Sequence, residues 1–417
     1  MCVVSALGIV LNNEVPPLGI EILPGDASAW LPEGSNERPF LFEERNLGIP
    51  SKVLYRAYLE AVHIFAEARR TWHPISESNK TALIHSSSVI LLANPAHQTA
   101  LNARKRFVLS KSLHAEVDLC FNTALLSLPD ASKQSIVWHH RRWLLRRLRN
   151  PTSPLLEAHE DTLDVINFSV EDLRQEFSIA SRASEVYPRN YFAWTHRYLC
   201  MHSLLSTLRH QPSSSLLPSH HDLNALLMEE CGWIKTWIDR HISDYTAMQY
   251  ACQIFSIAAG MGKNNLSWAS PPPDMSPDAL LDIQGLRTHA QSLLHTYPER
   301  ESLWMYFRDT FQMTGSPQER LDARSVVWGL VDFIRELLDT SAADSGQGTS
   351  ALDKYDSINL HVCRFLAWLA RQSHAIDMRP QNPLDILRGR CDYNALLDTL
   401  LTPLPQRRST DIIPQMK

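Results

Sequence analysis

The sequence predicts an all-α fold, a right-handed superhelix of antiparallel helical hairpins. Long segments repeat apolar residues at the spacing i, i+3, i+4, i+7, and no comparable segment alternates with a period of two. In addition, a tryptophan-centred motif returns along the chain, as it does in repeat proteins. The helical spacing is clearest in four segments: 51–70, 172–187, 223–242 and 320–340.

The composition is that of an ordinary globular protein, with 417 residues, 44% hydrophobic and 20% charged. That length allows one large domain or two moderate ones. The net charge of −5 argues against a chain built for extensive phosphate binding. The apolar runs fall short of the roughly 18 residues that a membrane span needs. Seven cysteines occur singly, and no basic residue precedes the first apolar stretch. We therefore expect a reduced, cytoplasmic protein without a signal peptide.

Breaker-rich segments separate the predicted helices. Proline, serine and glycine concentrate in them, which predicts exposed loops. They cover 149–161, 209–222, 262–277 and 341–350. We expect three parts of the chain: a partly ordered N-terminal segment over 1–50, a helical-repeat domain over 51–340, and C-terminal helices with a tail over 351–417.

The stretch WHHRRWLLRRL at residues 138–148 has relatives along the chain. PRNYFAWTHRYLC at 188–200 aligns with it, so that Trp194 corresponds to Trp138 and the following histidine and arginine also match. Weaker copies place Met248 and Trp304 at the tryptophan position, and a fainter first copy places Leu101 there. The gaps of 37, 56, 54 and 56 residues each hold one helix pair of about 35 residues, most with a loop added. Such tetratricopeptide-like hairpins must stack to bury their apolar faces.

The repeated residues are of the types that hold stacked helices together. Trp138, Arg141 and Leu145 share one helix face because they lie at i, i+3 and i+7. A tryptophan there buries about 200 Å², and an arginine one turn later can reach a carboxylate or a helix C-terminus of the neighbouring hairpin. We interpret most of these residues as structural. The predicted repeat-core residues are Trp138, Arg141, Trp194, His196, Arg197, Tyr245, Trp304 and Arg308.

Two other functions of this stretch are weaker hypotheses. The five arginines between 141 and 149 suggest a nucleic-acid helix, but the other copies lose that charge. The adjacent pairs His139–His140 and His220–His221 face different sides of a helix, whereas a zinc-binding helix favours histidines at i and i+4. We therefore expect no metal, no cofactor and no nucleic acid to be bound by this chain.

The motif resembles a known repeat. NYFAWTHRYL and SIVWHHRRWLL are similar to the Tyr-x-Ala-Trp-x-His-Arg pattern of the protein prenyltransferase α-subunit repeat, over roughly residues 90–312. The stretches PFLFEERNLGIP and VILLANPAHQTALNARKRFVL add to this likeness. Together they resemble a divergent third kind of α subunit, rather than that of farnesyltransferase or Rab geranylgeranyltransferase.

The resemblance implies a partner that carries the chemistry. In this family a crescent of helical hairpins wraps a β subunit, and that β subunit holds the zinc and the isoprenoid pocket. For the divergent kind, the implied partner is the Rab geranylgeranyltransferase β subunit. The implied reaction transfers a geranylgeranyl group from its diphosphate to a C-terminal cysteine of a protein substrate.

The resemblance also implies two site residues in this chain. At the positions where the family offers a lysine and a tyrosine to the departing diphosphate, the sequence has Arg189 and Tyr191. Arginine changes the donor geometry relative to lysine. Alternatively, Arg189 is a solvated residue and Tyr191 a packing residue. At the level of the whole chain, the alternative is a non-enzymatic scaffold that binds a helix or peptide on its concave face.

Overall fold

A computed structural model describes residues 2–13, 15–31, 38–70, 76–149, 161–164, 166–210, 220–262, 283–312, 333, 336 and 357–368. The chain divides into two compact units, Met1–Glu230 and Cys231–Lys417. Their boundary falls within the stretch predicted as one repeat domain. Most of the predicted helix 320–340, most of the four predicted loops and the tail after 368 lie outside the described residues.

Helices dominate the first unit, and the all-α prediction is confirmed. The helices are α1 (Val3–Leu11), α2 (Ser51–Arg70), α3 (Glu77–Ala93), α4 (Gln98–Leu109), α5 (Ala115–Leu125), α6 (Pro129–Ser132), α7 (Ser135–Arg149), α8 (Val170–Val186), α9 (Tyr191–His210) and α10 (His220–Arg240), the last crossing the unit boundary. The helices predicted at 51–70, 172–187 and 223–242 correspond to α2, α8 and α10, and each predicted end lies within three residues of the observed end.

A small sheet, which the sequence did not predict, lies in the N-terminal segment. Its strands are β1 (Gly19–Leu23), β2 (Leu41–Glu43) and β3 (Asn46–Pro50), in the order β1-β3-β2. β1 pairs with β3 in parallel and β2 pairs with β3 antiparallel, and Leu47 faces Ile20 on one side and Phe42 on the other. Buried Ile20 and Leu47 belong to the same core as α1 to α7. The predicted N-terminal segment is therefore part of the first unit's core.

A glycine sets the close approach of α1 to α3. A Cβ atom added to Gly8 would lie 2.3 Å from the Cβ of His85 on α3, closer than real side chains allow. The absence of a side chain at this position therefore lets the two helices pack closely. Ser88 of α3 extends this contact, since its hydroxyl accepts a hydrogen bond from the Asn12 amide at 2.9 Å.

The second unit is also helical where it is described. After α10 come α11 (Tyr245–Gly262), α12 (Ile283–Thr296) and α13 (Glu301–Gln312), and residues 357–368 form a further helix. Aromatic rings join the last two, because Phe307 stacks on Phe365 with 5.2 Å between ring centroids. None of the helices in the described ranges of either unit is long and apolar enough to cross a membrane.

Candidate functional site

Three of the five repeat copies have a side-chain cap four residues before the anchor position. The backbone N–H of Ala193 donates to Asn190 Oδ1 at 3.2 Å, and that of Ala247 donates to Asp244 Oδ1 at 3.2 Å. In the faint first copy, His97 Nδ1 accepts from Ala100 N at 3.1 Å. These caps satisfy helix N–H groups that would otherwise lack partners. Sequence reasoning missed them, although a polar residue at anchor −4 was visible in each copy.

The anchor tryptophans lie in the core. Trp138 is fully buried and its Nε1–H donates to the Ser132 carbonyl at 2.7 Å. Trp304 repeats this contact at the same six-residue offset, donating to the Pro298 carbonyl at 2.7 Å. Trp194 is also buried. The indoles of Trp138 and Trp304 therefore each close the turn before their own helix.

The arginine three positions after the anchor binds a carboxylate on another helix. Arg141 on α7 holds Glu176 on α8 in a two-point contact, Nε to Oε2 at 2.7 Å and Nη2 to Oε1 at 2.6 Å. His196 on α9 approaches the same carboxylate, with 2.8 Å between Nε2 and Oε2. One buried carboxylate thus joins the arginine of one repeat to the histidine of the next.

The same arrangement recurs in the neighbouring copies. Before it, Asp118 binds Arg104 Nε at 2.7 Å and His140 Nε2 at 2.9 Å. After it, Arg197 grips Glu230 through Nε and Nη2, both at 2.6 Å. We call the set the arginine ladder; all of its members are buried. It consists of Arg104, Asp118, His140, Arg141, Glu176, His196, Arg197 and Glu230.

Burial and pairing in the ladder lower the pKa values of three of its members. Burial alone would raise the pKa of Glu176, but the charge of Arg141 and the hydrogen bonds from His196 and Arg141 outweigh it, and the pKa falls to about 2. For Asp118, burial is likewise outweighed by Arg104 and His140, which hold its pKa well below the usual range. Burial lowers the pKa of His196 more than Glu176 raises it. The ladder therefore holds Asp118 and Glu176 ionised beside a neutral His196.

One group in the described part of the chain has metal-ligand types close together: Glu176, His196 and Cys200, whose ligand atoms lie within 4.8 Å of one another. Both oxygens of Glu176 already accept from the Arg141 guanidinium. Burial also raises the pKa of the Cys200 thiol well above its ordinary value, so it stays protonated. These residues therefore do not fit a zinc ion, which needs a thiolate and free carboxylate lone pairs.

Three of the four remaining arginines of α7 are also paired within the protein. Arg142 donates to Asp161, Arg146 donates to the Thr162 carbonyl at 2.9 Å, and Arg149 donates to Asp172. Arg142 and Arg146 are buried. Most of the arginines between 141 and 149, which suggested a nucleic-acid helix, therefore make contacts within the protein.

Arg189 and Tyr191 lie outside this network. Arg189 is exposed and has a positive φ of 59°, which few non-glycine residues adopt. Tyr191 is the first residue of α9 and is 53% exposed. Between them, the buried Asn190 caps α9 and donates to the Ser132 carbonyl at 3.0 Å. The turn thus presents a cation and a hydroxyl at the start of α9.

Two of the predicted repeat-core residues, Tyr245 and Arg308, do not lie in the core. Tyr245 begins α11 but is 48% exposed, so its ring does not lie in the core. Arg308 is partly exposed and binds its neighbour Asp309 at 3.3 Å instead of a carboxylate on another helix. The position that corresponds to Arg141 is held by Phe307, which is fully buried. In this copy, aromatic packing replaces the ladder arginine.

The shifted pKa values predict loss of stability at mildly acid pH. The pKa of His196 is lowered in the folded chain, and burial lowers the pKa of His139 to about 4. Below pH 6.5 the unfolded chain therefore binds protons at these histidines that the folded chain does not yet bind. The Nδ1 atom of His196 is buried without a partner, so its protonation would bury an unpaired donor. We expect the free energy of unfolding, measured in urea, to fall as the pH drops from about 7.5 to about 5. His196→Gln should show a shallower fall, and an unchanged slope would contradict this assignment.

The geometry defines a class of protein: an all-α protein of helical hairpins joined by buried arginine–carboxylate contacts. Residues 173–204, most of the α8–α9 hairpin, match the family described as "Protein prenyltransferase alpha subunit repeat". The chain thus carries this repeat, and the resemblance seen in the sequence is confirmed.

Curated relatives carry the same name along more of the chain. Protein prenyltransferase alpha subunit repeat-containing protein 1 of Homo sapiens is 26% identical over 78% of this chain and 81% of its own length. The Danio rerio protein of that name is 25% identical, and the match covers 67% of this chain but only 65% of the relative. A more distant match is the geranylgeranyl transferase type-2 subunit alpha of Sus scrofa, 24% identical over 54% of this chain and 33% of its own length.

Proposed function

We propose that this chain is the α subunit of a heterodimeric protein prenyltransferase, inactive alone, that holds a zinc-bearing β subunit. One observation carries the proposal: the hairpin that matches the repeat exposes Arg189 and Tyr191 at a helix start, while its other charged repeat residues are buried in the ladder. The similarity to a geranylgeranyl transferase α subunit supports it. The ladder would supply the rigid scaffold.

We assign the transferred group as geranylgeranyl and the partner as a β subunit of the Rab geranylgeranyltransferase type. The substrate would be a cytoplasmic protein with a C-terminal cysteine, including one already farnesylated. When bound by the β subunit, zinc would hold the substrate's cysteine as a thiolate, and this thiolate would displace diphosphate from the isoprenoid.

Arg189 and Tyr191 would act on the departing diphosphate. Negative charge builds on the diphosphate oxygens as the bond to the isoprenoid carbon breaks. A guanidinium and a phenol hydroxyl can both donate hydrogen bonds to those oxygens, and the N-terminus of α9 adds a favourable dipole. Asn190, which caps α9, lies between the two residues and fixes the turn that carries them.

Co-expression tests the pairing. The chain is produced with a tagged Rab geranylgeranyltransferase β subunit, purified through the tag, and assayed for geranylgeranyl transfer to a mono-farnesylated peptide that ends in cysteine. A stoichiometric complex with turnover is expected. If no prenyltransferase β subunit forms a complex with the chain, the proposal is wrong.

A double variant tests the assigned residues. Arg189→Ala with Tyr191→Phe should bind the β subunit normally but lower the turnover rate about a hundredfold, the effect typical of losing oxyanion donors. Tyr245→Phe is the matched control, because Tyr245 begins the next repeat helix and is also about half exposed. If the double variant turns over as fast as this control, the two residues have no part in the chemistry.

A second candidate function is a non-enzymatic scaffold. Its support is the fourth copy, where Met248 and Ala251 replace the tryptophan and the arginine, so that this copy has no ladder arginine. A scaffold would bind its partner without isoprenoid turnover. A stable complex with a β subunit that turns over neither farnesylated nor unmodified cysteine peptides would favour this function.

A further inference from the structure

Helix α2 has two apolar faces. One packs into the core of the first unit and consists of Val53, Leu54, Ala57, Ala61, Phe65 and Ala68. The other faces solvent: Tyr55 is 63% exposed, Leu59 52% and Val62 36%, and Ala66 is exposed as well. We call these four residues the outer stripe. Single exposed apolar residues are normal on a protein surface, whereas these four form a continuous stripe along one helix.

The spacing of the outer stripe is that of a coiled-coil seam. Its members are separated by four, three and four residues, the alternation that keeps side chains on one line facing a second helix. At 100° per residue they fall within a narrow sector, opposite the buried face. A helix laid along α2 could therefore insert its own apolar side chains between them.

Basic residues border the outer stripe on one side. Lys52, Arg56, His63 and Arg70 are all exposed and follow the stripe along the helix, next to Leu59 in angular position. The acidic residues Glu60 and Glu67 lie further round, and Glu67 contacts His63 at 3.4 Å. A partner helix would meet the basic border directly beside its apolar seam.

This charge pattern disfavours a second copy of the chain as the occupant. In an antiparallel pair of α2 helices, each basic border would lie against the basic border of the other copy. In a parallel pair, the basic border would face the side that carries Ser51 and Arg69, which offers no acidic residue. Like charges across such a seam oppose association.

We propose that the outer stripe of α2 binds an amphipathic helix of another protein, whose apolar seam is flanked by acidic side chains. The apolar seam supplies contact area, and the acidic flank pairs with Arg56 and Arg70, because Lys52 already contacts Asp26 and His63 already contacts Glu67. The surface belongs to residues other than Arg189 and Tyr191, so it does not depend on the proposed transferase function.

The first test uses designed helical peptides and the full-length chain. Two 21-residue peptides have leucine at every seam position; one has glutamate and the other lysine beside the seam. Binding is measured by fluorescence anisotropy. The glutamate peptide should bind at least about tenfold more tightly than the lysine peptide. Leu59→Asp should weaken it by about tenfold or more. Leu109→Asp, at an exposed leucine on α4, is the matched control and should bind as the unchanged chain does.

Charge reversal distinguishes the proposed binding from non-specific hydrophobic binding. Arg56→Glu with Arg70→Glu should invert the preference, so that the lysine peptide binds more tightly. Failure of the unchanged chain to bind the glutamate peptide, or equal binding of both peptides, would overturn the proposal. Sedimentation with vesicles containing phosphatidylserine, lost in Leu59→Asp while neither peptide binds, would overturn it in favour of a membrane surface.

Discussion

Replacing Arg141 with alanine is expected to lower the free energy of unfolding by about 3–5 kcal/mol, because the change leaves a buried carboxylate without its counter-ion. Glu176 is buried, and both of its oxygens accept from the Arg141 guanidinium. A neutral His196 cannot replace that charge. Urea unfolding followed by far-UV circular dichroism at about pH 7.5 measures the loss, since the pKa of Glu176 of about 2 keeps it ionised there.

An exposed pair on the same unit provides the control. Arg174 binds Glu229 at 2.9 Å, but both side chains are about half exposed. Arg174→Ala should therefore cost less than about 1 kcal/mol. Replacing both ladder partners, Arg141→Met with Glu176→Leu, should recover most of the stability, because no buried charge then remains. If Arg141→Ala costs no more than Arg174→Ala, the ladder does not stabilise the stack as inferred.

Local periodicity was enough to predict α2, α8 and α10. In α2 and α8 the apolar residues recur at the helical spacing, so the sequence itself defines the buried face and the approximate ends. The sequence also predicted that the repeat arginine would reach a carboxylate or a helix C-terminus of a neighbouring hairpin, and Arg141 binds the carboxylate of Glu176. Both inferences depend on residues within one or two helical turns.

The carboxylates of the ladder could not be identified in the same way. Asp118, Glu176 and Glu230 lie 14, 35 and 33 residues from their arginines, so no fixed spacing marks them. Only the packing of successive hairpins brings the partners together. A local signal did exist, since Glu176 interrupts the apolar face of α8, where a charged residue needs a buried partner.

The sheet and the last repeat copy were missed for different reasons. β1 has only five residues, too few for its Ile-Glu-Ile alternation to stand out, and its partner β3 comes more than twenty residues later. In the last copy, a degraded motif made Arg308 resemble the repeat arginine. The structure places Phe307 there, one residue earlier, where it stacks on Phe365. Successive side chains on a helix point about 100° apart, so a residue one position from the core position lies outside the core.

Replacing Trp138 with alanine is expected to be about as damaging as breaking the ladder, at about 3–5 kcal/mol. The indole is fully buried, and its ring centroid lies 5.1 Å from that of His196 on α9. Its removal opens a cavity between two repeats and withdraws the donor from the Ser132 carbonyl. That carbonyl keeps its bond from the Asn190 amide at 3.0 Å, so most of the loss should come from packing.

Two further variants separate packing from hydrogen bonding. Trp138→Phe keeps an aromatic ring but loses the Nε1 donor, so it should cost clearly less, about 1–2 kcal/mol. Trp143→Ala removes a tryptophan from the same helix that is only partly buried and stacks on His140 with 5.7 Å between centroids; it should cost less than Trp138→Ala. Thermal and urea unfolding of all three variants gives the comparison. Equal losses for Trp138→Ala and Trp143→Ala would mean that the anchor position carries no special share of the stacking between repeats.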